Sequence, residues 1–335
     1  MKVFLNSKGV TLSAKEYFIN ALSYMALGLF SSLIIGLIMK TIGDQFKWPF
    51  FTEMGSLAMG LMGPAIGAAV AYGLKAPPLV IFASIISGAA GAELGGPAGS
   101  YVAALISSEV GKVVSKETKI DIIVTPFVTI TVGFATASLI GPSVAAFMEA
   151  FGAWIMWSTE LRPLLMGILV AISMGLALTA PISSVAIALM LDLSGVAGGA
   201  ATVGCAAQMI GFAVSSYREN GFGGLVAQGI GTSMLQVANI VRNPYILIPP
   251  TVAGALLAPF ATVWLDMSNN SSGAGMGTSG FVGQIMTFTT MGFSGIVILK
   301  VLLLHIIGPA IISLLLSELM RKAGLIKFGD MKIDY

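Results

Sequence analysis

Two stretches decide the fold class of this chain: GAELGGPAGS at Gly91–Ser100 and NNSSGAGMGTSG at Asn269–Gly280. Each interrupts sequence that is apolar enough for the interior of a bilayer. Backbone leaves a helix at membrane depth only where protein or a water-filled cavity satisfies its N–H and C=O groups. Paired interruptions in the two halves of a membrane protein are typical of a solute site between broken helices. The pair therefore predicts a transporter, or a receptor built like one.

The composition indicates a polytopic membrane protein. Of 335 residues, 56% are hydrophobic and 10% are charged, against roughly 25% charged in soluble domains. The mean hydropathy is +0.94, and 41 glycines suit closely packed membrane helices. The single cysteine, Cys205, excludes an internal disulfide and a cysteine-based metal cluster. The net charge of +2 gives no indication of nucleic acid, and no cofactor or metal is predicted.

A spanning helix needs about 20 apolar residues, and the pattern predicts about ten spans in an all-α bundle. They are Ile19–Met39, Gly55–Leu74, Pro78–Ala92, Ala98–Val114, Ile120–Ile140, Leu164–Thr179, Ile182–Val196, Ala200–Ser216, Ile246–Leu265 and Ile296–Leu319. Three further apolar pieces, predicted to be interfacial or re-entrant, are Val144–Trp157, Leu225–Ile240 and Phe281–Thr290. Residues 1–335 are predicted to form one membrane-embedded domain.

Lysine and arginine near the span ends predict the orientation. Basic residues cluster before the first span, between the fourth and fifth spans, and after the last span; they include Lys8, Lys112 and Arg321. With an even number of spans, all three clusters lie on one side, which places both termini in the cytoplasm. GPAIGAAVAYG from Gly63 and PPTVAGALLAP from Pro249 each precede an interruption, so an internal repeat is possible, with chance similarity as the alternative.

Read in order, the segments resemble the membrane subunit, enzyme IIC, of phosphoenolpyruvate-dependent sugar phosphotransferase systems, particularly the fructose type. The resemblance rests on MGPAIGAAVAYGLKAPPLV with GAELGGPAGSYVAAL, TPFVTI from Thr125, LIGPSVAAFMEAF from Leu139, NPYILIPPTVAG from Asn243 and GMGTSGF from Gly275. A stand-alone subgroup that includes regulators of the perfringolysin-regulator type is the nearest. The resemblance implies a bacterial cytoplasmic-membrane permease, a homodimer, and separate cytoplasmic IIA and IIB proteins as phosphoryl donors.

The chain departs from the family where the family carries charge. The resemblance puts the family's Asp, Asn and Lys at Ala177, Ser183 and Ser184. Its Ile-Thr-Glu motif falls near Thr232–Gln236, which contains no acid, and its His corresponds to Thr278. Phosphoryl transfer depends on a positioned base and on stabilised charge. The resemblance therefore leaves enzymatic phosphotransfer open, and no catalytic residue is predicted.

Candidate substrate-binding residues lie at both interruptions. In the first, Glu93 is flanked by Gly95 and Gly96, whose amides are able to hold a ligand; the alternative is a helix cap at Ala98. In the second, Asn270, Thr278 and Ser279 offer amide and hydroxyl partners, and a solvated loop is the alternative. Ser183 joins the set through the resemblance.

Three neutral amides, Gln236, Asn239 and Asn243, complete the predicted site. Amides donate and accept hydrogen bonds together, as hydroxyl-rich ligands require, although hydrogen bonding between helices explains them equally well. His305, the only histidine, is interpreted as a packed side chain within the last span, with a proton-linked role as the alternative.

These features predict a membrane transporter for a small polar solute, sugar-like by resemblance, that works by alternating access. Two alternatives stay open: a membrane sensor that transports nothing and reports to a cytoplasmic regulator, and a carrier of another uncharged metabolite that needs no phosphorylation.

Overall fold

The structure is a computed structural model that describes residues 2–11 and 13–333, and this part of the chain is helical without a β-strand. The all-α prediction is confirmed. The helices are α1 Lys2–Ser7, α2 Glu16–Phe46, α3 Pro49–Gly60, α4 Met62–Gly73, α5 Pro78–Val114, α6 Asp121–Thr159, α7 Pro163–Thr179, α8 Ser184–Met190, α9 Gly195–Ser215, α10 Tyr217–Val226, α11 Val237–Arg242, α12 Pro244–Trp264, α13 Ser271–Ala274, α14 Val282–Met291 and α15 Gly295–Lys322.

Six of these helices, within the described residues, are long and apolar enough to cross a bilayer: α2, α5, α6, α9, α12 and α15. The pair α3 and α4 makes a seventh span if its two halves, bent by 51°, count as one. A multi-pass membrane protein is therefore confirmed, whereas the predicted number of ten spans is not. Two compact units divide the chain between Phe147 and Met148.

In the first unit, the helical run α5 is a hairpin. Gly95 (φ −150°, ψ 19°) and Gly96 (φ 57°, ψ −147°) leave helical geometry. In a continuous helix, Gly91 and Gly99 would be about 12 Å apart, yet a Cβ built on Gly91 would lie 2.3 Å from the carbonyl oxygen of Gly99. The hydroxyls of Ser84 and Ser108, at 2.9 Å, join the two arms further from the turn. The sequence prediction of two apolar segments around a break at GAELGGPAGS is thus confirmed in its local geometry.

Small residues let the helices of the first unit approach at backbone distance. A Cβ on Gly67 of α4 would lie 2.2 Å from the carbonyl oxygen of Ser84 in α5, and one on Gly88 would lie 2.4 Å from that of Gly63. Close backbone approach replaces the hydrophobic effect as the source of association where lipid surrounds the helices. Lys112, only 3% exposed, donates to the carbonyl oxygens of Gly9 and Leu74 and pairs with Glu109.

In the second unit, α9 is the central helix, and 83% of its most apolar 18-residue stretch is buried. Helices α7, α12 and α15 pack around it. Glycines again set the distances, since a Cβ on Gly204 of α9 would lie 2.0 Å from the carbonyl oxygen of Ala171 in α7. Helices apolar enough to face lipid thus surround one helix that is almost fully enclosed. This arrangement is expected where the enclosed helix carries the polar residues.

Two predicted segments differ from the structure. The predicted span Ile182–Val196 contains only α8, seven residues and about 10 Å long, which is too short to cross a bilayer alone. Left-handed backbone at Asp192 (φ 45°) and Gly195 (φ 63°) separates it from α9. The predicted separate piece Val144–Trp157 instead continues α6, which runs through Pro142 to Thr159. Apolarity alone does not distinguish these cases.

Candidate functional site

The first interruption supplies backbone geometry and one acid. Gly96 adopts a φ and ψ combination that is open essentially to glycine alone. Glu93 lies one turn before it on the first arm of α5, with an exposed side chain. A Cβ on Gly95 would be 3.3 Å from Val144 of α6, so that helix lines one side of the turn. Glu93, Gly95 and Gly96 therefore cluster at the turn of the hairpin.

The second interruption is anchored by Asn269, a fully buried side chain. Its amide nitrogen donates to the hydroxyl of Thr202 in α9 at 2.8 Å and to the carbonyl oxygen of Gly283 at 3.0 Å. Its amide oxygen accepts from the backbone N–H of Asn270 at 2.9 Å. Asn269 therefore satisfies backbone groups that the chain exposes on leaving α12.

Asn270 caps α13. Its side-chain oxygen accepts from the backbone N–H of Gly273 at 3.0 Å, as favoured N-cap residues do. Its amide nitrogen faces Met286 and, at 3.4 Å, the hydroxyl of Thr290 in α14. The predicted ligand role of Asn270 consequently competes with a local structural role.

Thr278 and Ser279 lie where the second interruption contacts a break in the helix at the π-helical turn Ala227–Gly231. The hydroxyl of Thr278 donates to the carbonyl oxygen of Gly229, at 2.5 Å, within the π-helical turn Ala227–Gly231. Ser279 is 3% exposed, and its hydroxyl has no hydrogen-bond partner in the described part of the chain. A buried hydroxyl without a partner costs about 1–3 kcal/mol and marks a position open to an added partner.

A further break follows α7 at residues 180–183 and brings Ser183 and Ser184 to the same region. The hydroxyl of Ser184 donates to the carbonyl oxygen of Gly275 at 2.7 Å. A Cβ on Gly275 would lie 2.5 Å from the carbonyl oxygen of Ser184, so only glycine permits the contact. Ser183 is partly buried beside it.

A buried polar network that sequence analysis missed closes the region. The hydroxyls of Thr179 and Ser233 lie 2.8 Å apart, and that of Thr179 donates to Gln208 of α9 at 3.3 Å. The amide of Gln208 donates to the hydroxyl of Thr251 in α12 at 2.8 Å. The available signal was a single amide in the apolar run of α9, because a polar side chain in a buried membrane helix needs an internal partner.

Three breaks therefore lie together near α9, namely residues 180–184, 229–233 and 275–279, because Ser184 bonds Gly275 and Thr278 bonds Gly229. Six polar side chains of these breaks and of the adjoining α7 and α9 are hydroxyls and one amide, namely Thr179, Ser184, Gln208, Ser233, Thr278 and Ser279. None of these six side chains carries charge. Such a set recognises a neutral ligand that both donates and accepts hydrogen bonds. We refer to it as the three-break site.

The remaining predicted amides face the C-terminal segment. Gln236 donates to the carbonyl oxygen of Met331 at 2.9 Å, and Asn239 donates to that of Lys332 at 2.9 Å. Asn243 donates to the carboxylate of Asp330 at 2.7 Å. These three residues form a group of their own, with partners inside the chain, while Thr278 and Ser279 belong to the three-break site.

A cavity and a polar pair lie outside the predicted site. The cavity, of about 440 Å³, opens beside the end of α9 and is lined by Val214, Ser215, Tyr217, Arg218, Leu225, Leu314 and Glu318. His305, fully buried in α15, faces the amide nitrogen of Gln284 at 3.2 Å through Nδ1. This contact agrees with the interpretation of His305 as a packed, hydrogen-bonded side chain.

The apolar helices of spanning length define a multi-pass membrane protein. The chain matches the sequence model of the family described as Phosphotransferase system, EIIC, over residues 19–333, and it belongs to that family. It is thus a membrane subunit of the sugar-transporting type. Comparisons with curated proteins and with solved structures gave no match. The resemblance to enzyme IIC is confirmed at the level of the family.

Proposed function

We propose that this protein binds a small, uncharged polar solute, sugar-like in its hydroxyl content, and carries it across the membrane by alternating access as a IIC-type permease. The observation that supports this most directly is the convergence of three chain breaks near α9. Broken helices around a polar centre provide both a binding site and points at which helix segments rotate relative to one another. The buried hydroxyl of Ser279 supplies a hydrogen-bonding group for the solute.

The same site argues for a neutral substrate. Ala177, where the resemblance puts the family's Asp, is 1% exposed and belongs to an apolar cluster with Met174 and Ile187. Ser184 is occupied by its bond to Gly275. We therefore propose that the solute is held by the hydroxyl and amide groups of the three-break site, and that Glu93, Gly95 and Gly96 of the first interruption are candidate binding residues of the first unit.

The phosphoryl chemistry of the family requires separate partners. We propose that cytoplasmic IIA and IIB proteins supply the phosphoryl group if the solute is phosphorylated during entry. A carrier that needs no phosphorylation is the second candidate, because the residues at the charged positions of the family are neutral here, including Thr278. A sensor that binds without transport is the third.

The finer assignments from the sequence are part of this proposal. They are membership of the fructose-type or perfringolysin-regulator-type subgroup, ten spans with an internal repeat, one transport domain over residues 1–335, a homodimer, and a bacterial cytoplasmic membrane with both termini in the cytoplasm. The folded-back arms of α5 favour a higher span count, because 37 residues then cross twice. Single cysteines introduced into a Cys205→Ser background and labelled from one side of the membrane test the topology.

Substrate binding and uptake are measured on the purified protein. A ligand that binds only the folded state raises the apparent stability, by about 2.7 kcal/mol at a hundredfold excess over its Kd. Thermal unfolding in detergent against sugars, sugar phosphates, nucleosides and vitamins identifies the class, and uptake into proteoliposomes follows. Binding with uptake supports the permease; binding without uptake, with or without IIA and IIB, favours the sensor.

Loss of the Ser279 hydroxyl is expected to weaken binding of the identified solute about tenfold, because one hydrogen bond to a buried partner contributes about 1.4 kcal/mol. Ser279→Ala tests this in the binding assay. Ser272→Ala is the matched control, since Ser272 is an exposed serine of the same interruption. Equal affinity in both variants and the parent would remove Ser279 from the site.

A further inference from the structure

The C-terminal segment, residues 325–333, lies bound in the second unit as an irregular peptide. Three apolar side chains are buried, Ile326, Met331 and Ile333, at 2%, 0% and 8% exposed. Ile326 and Met331 pack with Phe212 of α9 and with Ile246. The segment has only turns, in which the N–H groups of Asp330 and Lys332 bond the carbonyl oxygens of Lys327 and Gly329, and side chains elsewhere in the unit pair further backbone groups.

Side chains of the α10 and α11 region provide these partners. Asn220 donates to the carbonyl oxygen of Met331 at 2.8 Å and accepts from the N–H of Ile333 at 2.9 Å. Gln236 and Asn239 donate to the carbonyl oxygens of Met331 and Lys332. Side chains that bind main-chain groups of an irregular segment are a recurring mode of peptide recognition.

A buried ion pair fixes the start of the segment. Glu219, with a fully buried side chain, pairs with Arg321 at 2.7 Å, and Arg321 also donates to the carbonyl oxygen of Ser215 at the end of α9. The same carboxylate oxygen of Glu219 accepts from the N–H of Gly329 at 3.3 Å. Glu219 therefore holds both the end of α15 and the middle of the segment, while Asn220 holds its last described residue, Ile333.

The amides that hold the segment also lead to the three-break site. Gln236 uses its second N–H to donate to Gln228 at 2.8 Å, and its oxygen accepts from Asn239 at 2.8 Å. Gln228, fully buried, donates to Ser216 and to the carbonyl oxygen of Gly224. In the amides of both Gln236 and Gln228, the nitrogen donates two hydrogen bonds and the oxygen accepts one. A network with all its polar groups paired in this way is rigid.

Gln228 sits in the π-helical turn Ala227–Gly231, directly before the carbonyl that binds Thr278. π-helical turns inside α-helices are frequent at functional sites. Ser233 of the three-break site follows within five residues, and Gln236 belongs to the same short helical turn as Ser233. A displacement of Gln236 or Gln228 therefore moves backbone that carries groups of the site.

We propose that the C-terminal segment is a positioning element of the three-break site, and that Gln236 and Gln228 are the positioning residues through which it acts. Docking of the segment holds the Ala227–Gln236 stretch in its closed arrangement, and its release lets the site open. Neither residue touches the solute. The inference rests on the proposed function in naming the site, but the path of contacts that runs from the segment through Gln236 and Gln228 to the turn that binds Thr278 is independent of transport.

Accessibility of the site tests the proposal without transport. The reporter is Ser279→Cys in a Cys205→Ser background of the full chain, reconstituted in liposomes, and the rate of maleimide modification is measured. Ser233→Cys is the second reporter, in case the first does not fold. Asn220→Ala and Gln236→Met, which remove bonds to the segment, are each expected to raise the rate about tenfold, the factor that corresponds to one or two hydrogen bonds.

Lys332→Ala is the matched control, because it alters an exposed side chain of the same segment and leaves the bond to the backbone of Lys332 in place. A rate for Asn220→Ala and Gln236→Met equal to that of Lys332→Ala overturns the proposal. An equal rise in the modification rate for all three variants also overturns the proposal.

Uptake separates this inference from the proposed function. In proteoliposomes, Gln236→Met and Gln228→Met are expected to change the KM for the solute while thermal unfolding shows that the fold is kept. Uptake with an unaltered KM, together with unaltered labelling, overturns the positioning role and leaves the permease intact. Altered labelling in a protein that takes up no solute of the panel overturns the permease and leaves the positioning role intact.

Discussion

Gly204→Ala is expected to destabilise the protein by about 3 kcal/mol, the upper end of the usual range for overpacking. A Cβ at this position would lie 2.0 Å from the carbonyl oxygen and 2.5 Å from the carbonyl carbon of Ala171. Both contacts are to backbone, which has no rotamer by which to move away. Helices α7 and α9 would therefore have to separate by more than 1 Å, since Cβ contacts below 3.0 Å essentially do not occur.

Separation of α7 from α9 would also strain the bonds between them. The thiol of Cys205 faces the carbonyl oxygen of Met174 at 3.3 Å, and Thr179 bonds Gln208 at 3.3 Å. The second of these belongs to the three-break site, so Gly204→Ala is expected to reduce solute binding together with stability.

The matched control for this change is Gly223→Ala. Gly223 lies in α10 with nothing within 4 Å of a built Cβ, so the same added methyl meets open space. Alanine favours a helix over glycine by about 1 kcal/mol, so this variant is expected to be as stable as the parent or more so. Thermal unfolding of the purified protein in detergent measures both. Equal unfolding temperatures for the two variants would contradict the close approach of α7 and α9.

Asn269→Ala is the second change with a large expected effect, again about 3 kcal/mol. It leaves the N–H of Asn270 without its side-chain partner and removes the bonds from Asn269 to Thr202 and to the carbonyl oxygen of Gly283, which keeps its bond from the hydroxyl of Thr287. Each buried polar group left unpaired costs about 1–3 kcal/mol. Because Asn269 joins α9 to the second interruption, loosening at this point also displaces the residues that follow, including Thr278.

The neighbouring residue provides the control. Asn270→Ala removes an N-cap and is expected to cost about 1 kcal/mol, as is usual for such caps. Asn269→Asp is expected to be no better than Asn269→Ala, because a carboxylate oxygen would face the carbonyl oxygen of Gly283 in place of an N–H donor. A smaller loss of stability for Asn269→Ala than for Asn270→Ala would show that Asn269 does not anchor the interruption.

Much of the fold followed from local sequence. Apolar runs of spanning length predicted the helices α2, α9, α12 and α15; both bounds agree closely for α12 and α15, whereas α2 ends later and α9 begins earlier than predicted. The glycine-rich stretch at Gly91–Ser100 predicted the turn of the α5 hairpin, because consecutive glycines open backbone conformations that other residues avoid. These features depend on the hydropathy and backbone freedom of a short segment, and both properties follow directly from its amino acids.

The candidate site was predicted only in part. Thr278 and Ser279 were predicted as members of a polar interruption, and in the structure this interruption contacts Ser184 through the carbonyl oxygen of Gly275. The partners Thr179, Gln208 and Ser233 were missed, since each is a single polar residue in a different apolar segment. Their contacts span 29 to 54 positions along the chain, and periodicity holds no information over such separations.

By itself, the sequence determined that this protein is helical, membrane-embedded and broken at two glycine-rich points, because hydropathy and backbone freedom are properties of short segments. The order of its motifs likewise indicated the resemblance to enzyme IIC, which the family match confirmed. Only the tertiary structure decided which partners the predicted amides have. Gln236, Asn239 and Asn243 look like ligand-binding residues in sequence, yet each is engaged by the C-terminal segment some 80 to 100 positions away. Whether a polar side chain is free for a ligand depends on which backbone groups fold against it, and that is settled by long-range packing alone.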